Sequence, residues 1–407
     1  MSFALIRDRS VAPLLAARLV GNAGDGYGQL ALGFGVLQLG HGPGGLSAVV
    51  ACKALPMLLV PAGGVAGDRF RRHRVMAAAE LAAAAAWAGL ALCLLGRAPL
   101  AAVCALALGA GLARAVLLPA ERGIVADLVE ERDRQAANAL VGQMVAAGLL
   151  AGLATAGLVV AAAGPGWGAA VKAGTAVAGA ALLARLRTPA RAAERAGPLA
   201  ELRGGWREFT AYPWVWALTA QFTAVAVAAG AFAGVIGPVY MERGHGGAGA
   251  WGLVTAAEAS GALLGGLVAV WWRPRNALAV LAVLPVAAAG PMLLAGTGAS
   301  WAVLAALMVV PGACQTIYGV LWTTSVQAAF PPHVLARVNS WNVLGAAALT
   351  PVAVLAAGPV VEAAGARAAA AGAGCAVAAA TAGVLALGWA GKIFRGPARG
   401  PASVPGR

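Results

Sequence analysis

Gly63-Gly64-Val65-Ala66-Gly67-Asp68-Arg69-Phe70-Arg71-Arg72-His73-Arg74 lies between two apolar segments, 46–66 and 75–95. Each is long enough to cross a bilayer, which takes about 20 residues of helix. A polar loop this short between two such segments turns at one membrane face. Its four arginines within 69–74 select the cytoplasmic face, where positively charged loops are retained. A lone Asp beside close-packing glycines and a basic run is more than a marker of orientation.

The composition agrees. Of 407 residues 61% are hydrophobic and 11% charged, against about 25% charged in soluble domains, and the mean hydropathy is +0.80. The net charge of +14 does not mark a nucleic-acid binder. Once spans are placed by hydropathy, 21 of the 29 Lys and Arg fall in loops on one side. Only Arg97, Arg243 and Arg367 fall on the other, and Arg18, Lys53, Arg114, Arg122 and Lys172 lie within apolar segments. That asymmetry is orientation chemistry.

The five cysteines all fall in apolar segments without a CxxC or Cys/His cluster, so neither disulfides nor a metal site is expected. No phosphate-cradling Gly-Lys-Ser/Thr motif and no Ser/His/Asp set is present, which argues against ATP drive and against an enzyme. The four histidines, His41, His73, His245 and His333, are placed in loops. The N-terminus shows no cleavage site after a short apolar run, so the first span is read as a retained anchor.

The spans predicted are 12–39, 46–66, 75–95, 99–126, 137–163, 168–186, 213–240, 250–271, 277–296, 301–327, 339–360 and 367–390. These twelve transmembrane helices make an all-α membrane protein with both termini cytoplasmic. Residues 1–187 and 213–391 form two six-helix bundles, joined by a linker at 188–212 and followed by a tail at 392–407 expected to be disordered. In the linker Leu199, Leu202, Trp206 and Phe209 recur at helical spacing, consistent with a surface amphipathic helix and equally with a plain basic linker.

The halves align with each other. Laying 128–164 over 329–365 pairs Asn138 with Asn339, Gly157 with Gly358 and Gly164 with Gly365 at an offset of 201. Laying 46–73 over 248–275 pairs Gly63 with Gly265, Gly64 with Gly266 and Arg71 with Arg273 at an offset of 202. Two separate segments agree to one residue, which the abundance of alanine does not explain.

Gly64, Asp68, Arg69, Arg72 and Arg74 resemble the loop between the second and third helices of the major facilitator superfamily, Gly-x-x-x-Asp-Arg-x-Gly-Arg-Arg/Lys. Arg71 stands where that pattern has its second Gly. Pro119-Ala120 with Ala137-Asn138-Ala139-Leu140, and Trp322-Thr323-Thr324-Ser325-Val326-Gln327 with Arg337-Val338-Asn339-Ser340, resemble the bacterial drug and siderophore exporter branch, which includes enterobactin exporters. The resemblance implies two parallel six-span repeats, a substrate path between them lined by the first, fourth, seventh and tenth helices, and efflux driven by a proton gradient without a cofactor. It also implies a role in proton coupling for an Arg in the fourth helix, here Arg114.

Ionisable groups within spans cost about 2.5–3.5 kcal/mol on insertion scales and mark candidate sites. Arg18, Asn22, Asp25 and Gln29 share one face of the first span, which must face protein or water. Asp25 has two readings, a proton-binding carboxylate or one permanently paired to a buried Arg or Lys. In the fourth span Arg114 and Glu121 are seven residues apart, about 10 Å along the axis, and are expected not to pair directly. Lys172 is placed near the outer end with its ammonium reaching the interface. Lys53 and Glu258 lie deeper, as a buried pair or as transport residues. Gln315, Tyr318, Trp322 and Ser325 form a stripe on the tenth span, and Gln221 and Phe222 lie on the seventh, with Trp214 and Trp216 read chiefly as interfacial anchors. Such a lining suits an amphipathic organic molecule.

Asp68 is expected to rest on the N-terminal end of the eleventh span near Asn339, where free N–H groups attract negative charge, and so to latch the cytoplasmic side. Arg69 and Arg72 are expected to hold the loop to Glu130, Glu131 or Asp133. The partners expected are the lipid bilayer, a small-molecule substrate and protons, the protein acting as a monomer in the cell membrane. A non-transporting sensor, a lipid scramblase and an importer of the same architecture share these features.

Overall fold

The computed structural model describes residues 8, 11–60, 70–188, 212–330 and 332–389, with the backbone alone for 332–341, 343 and 344. Every regular element among them is helical. In chain order these are α1 Ala12–Gln38, α2 Gly42–Ala54 with a 3-10 extension Leu55–Leu59, α3 Arg72–Gly96 and α4 Leu100–Leu128. Then come α5 Arg134–Ala163, α6 Pro165–Ala184 and α7 Pro213–Ala231, the last continued by a π turn Phe232–Ile236 and by Gly237–Glu242. α8 is Gly247–Trp271, and α9 joins Ala277–Val283 to Ala289–Thr297 through a 3-10 turn. α10 is Trp301–Ala329, and α11 runs over Pro332–Trp389 with a break at Gly365.

The irregular turns have local causes. Pro56, Pro285 and Pro238 each lie in or just after one, and a proline removes a ladder N–H and crowds the preceding turn.

Ten helices among the described residues are long and apolar enough to span a membrane, so the protein is multi-pass, but this count does not reach the twelve expected. α1 is not among the ten, because its polar stripe lowers its hydropathy. In α11, residues 345–388 count once although they are 44 residues long, roughly 66 Å of helix against about 30 Å of hydrocarbon. α11 also starts at Pro332, so Asn339 lies two turns inside the helix and not at its N-terminal end. Gly64, Asp68, Arg69, the linker stripe 199–209 and the tail lie outside the described residues.

The packing relies on small residues, because helices in lipid gain contact by close backbone approach and not by hydrophobic transfer. α1 packs on α5 and α6, α2 on α4, and α3 on α4 and α6. In the second half α7 packs on the first limb of α11, α8 on α10, and α9 on the second limb. The halves meet where α5 crosses α8 and α2 crosses α11.

Three glycine pairs at the 201 offset occupy matching positions. A Cβ on Gly157 of α5 would lie 3.1 Å from Gly252 Cα of α8, and a Cβ on Gly358 of α11 would overlap Ser47 of α2 and come within 2.7 Å of the Pro43 carbonyl. Gly111 of α4 lies against the Lys53 carbonyl of α2, as Gly312 of α10 lies against the Glu258 carbonyl of α8. Gly164 has φ 92° and ψ 162°, and Gly365 has φ 85° and ψ 157°, a region that glycine enters without a steric cost.

Candidate functional site

A cavity of about 360 Å³ is walled by α1, α2, α3, α4 and α6, with Leu149 of α5 and Ala233 and Gly234 of the π turn after α7. It is therefore lined from both halves of the chain. Asp25, Gln29, Lys53, Glu80, Arg114 and Lys172 supply its polar surface, and Trp87 its aromatic one.

Lys172 Nζ donates to Asp25 Oδ1 at 2.7 Å and to the Gly21 carbonyl at 3.3 Å. The stem fits because position 24 is Gly, where a Cβ would sit 3.0 Å from Lys172 Cδ. The Lys172 side chain is 7% exposed and that of Asp25 38%, so of the two lining groups the carboxylate is the more open to the cavity. This overturns the interfacial placement of Lys172. Position within a span gave the wrong depth cue, since α6 turns this face onto α1. Lys53 Nζ lies 5.3 Å from the centre of the Trp87 ring, within cation–π range, and has no ion pair among the described residues.

Arg18 and Arg114 both pair with Glu121 Oε1, Arg114 Nη1 at 3.1 Å. The expected separation of Arg114 and Glu121 is thus corrected. Axial rise separates the Cα atoms only: Glu121 leans back toward the N-terminus, as helical side chains do, and the length of the Arg114 side chain on the same face closes the rest. Arg122 is exposed. Asn22 is buried and donates to its own helix, to the Arg18 carbonyl at 2.8 Å. Of the α1 stripe, only Asp25 and Gln29 line the cavity.

Lys53 and Glu258 do not pair. Each sits on the matching helix of its own half, and Glu258 faces a second cavity of about 80 Å³ with Phe222, Cys314, Gln315 and Tyr318. No ion pair to Glu258 exists among the described residues. Tyr318 stacks on Phe222, with ring centres 5.8 Å apart, and on Trp322 at 6.3 Å. Trp214 is buried and packs edge-on against Trp322, so it is core and not an interfacial anchor, whereas Trp216 is exposed. Gln221 is buried away from both cavities, donating to the Ala282 carbonyl at 2.8 Å and to Thr381 Oγ1 at 3.1 Å.

Sequence reasoning missed Glu80 and Trp87. They stand seven apart in a stretch of α3 that is otherwise Ala, Leu, Gly and Cys, which is the signal that could have found them. His73, expected in a loop, is buried in the first turn of α3, where the Thr188 N–H donates to its Nδ1 at 3.2 Å.

At the basic end Arg72 Nη1 donates to the Gly123 carbonyl at 2.9 Å and to Asp127 Oδ2 at 3.1 Å, at the end of α4. Glu130 and Asp133, the partners expected for it, face Arg132 at 3.1 and 3.6 Å. At the opposite end Glu362 Oε1 accepts from the Gly44 N–H at 2.8 Å, joining α11 to the first turn of α2. All five cysteines are free, and no cluster of His, Cys, Asp or Glu suited to a metal is present among the described residues.

Residues 27–354 match the Major Facilitator Superfamily. No curated protein matches in sequence. Among solved structures the chain is similar to a mutant of the nucleoside transporter NupG, at 14% identity and TM-score 0.79, over 93% of this chain and 100% of that one. It is also similar to a bacterial homologue of the human lysosomal transporter Spinster in an inward-facing, occupied conformation, at 15% identity and TM-score 0.69, over 94% and 97%. A bacterial homologue of the iron transporter ferroportin, inward-facing, matches at 15% identity and TM-score 0.70, over 93% and 98%. At such identities the likeness shows the fold alone.

Proposed function

Because the chain belongs to the major facilitator superfamily, and is thus a transporter and not an enzyme, we propose that it is a proton-coupled secondary transporter exporting an amphipathic small molecule. The reading takes α1 and both limbs of α11 as spans, giving twelve, with the basic loops and both termini on the cytoplasmic side of the cell membrane. The three glycine pairs support two repeats of six. The outward direction rests on the sequence resemblance to the exporter branch.

The observation that carries the proposal is the charged cavity lined from both halves. Three cations line it (Lys53, Arg114, Lys172) against two carboxylates (Asp25, Glu80). Lys53, held by Trp87 and not by a carboxylate, is the group left to meet a negatively charged polar end of the substrate, with the Trp87 face beside its apolar body. A proton arriving on Asp25 weakens its bond to Lys172 and frees the ammonium. That gives the differential contact that a two-state carrier requires.

The test is flux from proteoliposomes across an imposed pH gradient, screened over amphipathic compounds with and without an anionic group. Gradient-driven transport that Asp25→Asn or Arg114→Ala abolishes supports the reading. Lipid flipping that ignores the gradient, or ligand binding without flux, overturns it.

A further inference from the structure

A groove with a greater volume than the central cavity opens on another face of the first half. It lies between α3 and α4, encloses about 690 Å³, and is lined by Val75, Ala78, Ala82, Gly109, Leu112 and Val116, with Phe70, Arg71 and Arg74 at one end. Ala78, Ala82 and Leu112 are exposed, so the groove opens away from the protein, on a flank that hydrocarbon would cover in a spanning helix pair. Its walls are apolar over about two turns of each helix, from Val75 to Ala82 and from Gly109 to Val116, and basic only at the mouth. Small side chains on both helices (Ala78, Ala82, Gly109) make the slot.

The basic run divides its labour. Arg72 is committed to Asp127 and the Gly123 carbonyl, and His73 is buried against Thr188. The side chains of Arg71 and Arg74 have no hydrogen-bond or ion-pair partner among the described residues, and both line the groove mouth. Two unpaired guanidiniums over an apolar slot complement one class of molecule, an amphiphile with an anionic head and a long hydrocarbon tail. Guanidinium groups form forked hydrogen bonds with phosphate, and basic clusters just inside the membrane attract anionic lipid at about 1 kcal/mol per side chain.

We infer that the α3–α4 groove with Arg71 and Arg74 is a binding site for an anionic phospholipid of the leaflet on the α2–α3 loop side. The phosphate lies between the two arginines and one acyl chain in the slot. Ala79 and Ala113 belong both to this groove and to the wall of the central cavity, so an acyl chain seated here braces that wall from outside. The site holds whatever substrate the central cavity takes and does not depend on the direction of transport.

Native mass spectrometry of the purified full chain, equilibrated with mixed micelles of phosphatidylglycerol and phosphatidylcholine of equal chain length, tests it. The wild type is expected to retain phosphatidylglycerol selectively. Arg71→Gln with Arg74→Gln is expected to weaken that retention roughly thirty-fold, the sum for two side chains at about 1 kcal/mol each. Ala82→Trp, which fills the slot and keeps both charges, is expected to lose retention too. The control Arg185→Gln with Arg187→Gln removes the same charge from the end of α6. Equal loss in the control would reduce the effect to diffuse attraction and overturn the site, as would undiminished retention in Ala82→Trp or equal retention of the two lipids by wild type. A matching elution volume for each variant secures the comparison against misfolding.

Discussion

Lys172 Nζ lies 2.7 Å from Asp25 Oδ1, tying α6 to α1 along the wall of the charged cavity. One partner is nearly enclosed and the other is open to the cavity. The pair is therefore asymmetric, with the carboxylate accessible to protons or ligand and the ammonium held in place. Removing one member of a buried pair strands the other charge, at about 3–5 kcal/mol when burial is complete. Asp25 is partly accessible, so Lys172→Met is expected to cost less than that. The double variant Asp25→Asn with Lys172→Met is expected to recover most of the loss. Thermal unfolding of both single variants and the double in one detergent measures the coupling, and strict additivity would show that the two do not act as a unit.

Glu121 serves two guanidiniums, Arg18 and Arg114. Glu121→Gln leaves both cations facing a neutral amide, whereas Arg114→Ala leaves Glu121 still paired to Arg18. Glu121→Gln is thus expected to lower the unfolding temperature more than Arg114→Ala. Arg114→Ala, whose side chain reaches the cavity, is expected to lose transport while remaining folded. Unfolding temperatures set beside proteoliposome flux check that order.

Much of this was legible in the chain, for physical reasons that can be named. The apolar runs mark helices because bilayer thickness sets their length, and the 201 offset shows because glycine is needed wherever backbones touch. Gly157, Gly358, Gly111 and Gly312 are such places. What could not be read was which charges meet. Arg114 and Glu121 pair because side-chain direction and reach close a gap that axial rise alone leaves open. Lys172 looked interfacial because depth along a span says nothing of which neighbour the face meets. Glu80 drew no notice, although it lies alone among alanines and lines the cavity.

Glu258 faces the second cavity with no ion pair among the described residues, at the place in its half that Lys53 holds in the other. Unlike Asp25, it loses no partner when neutralised. Glu258→Gln breaks no ion pair and is therefore expected to lower the unfolding temperature less than Lys172→Met does. If the coupling proton visits Glu258, the amide mimics the protonated form permanently. Substrate exchange between equal pools then continues, while flux driven by a pH gradient stops. Unchanged gradient-driven flux would assign coupling to the Asp25 cluster alone.

The halves are held together at the end opposite the basic loops by two features of α11 against α2. Gly358 allows the backbone to touch Ser47 and Pro43, and Glu362 accepts the Gly44 N–H at 2.8 Å. The first is steric and the second a hydrogen bond on an exposed residue, so their variants should differ in size. Glu362→Gln keeps the shape and weakens one charge-assisted bond, by about 1 kcal/mol, which shifts a two-state equilibrium roughly five-fold. Gly358→Leu places a side chain where backbone and Ser47 already lie, so this end cannot close as described, and the alternative state should dominate. A single cysteine substituted for Gln29, which lines the central cavity, reports the change through labelling by an impermeant thiol reagent added from that side, with the native cysteines replaced by alanine. Labelling is expected to rise modestly in Glu362→Gln and to near completion in Gly358→Leu. Equal labelling in all three backgrounds would show that the α2–α11 contact does not control access.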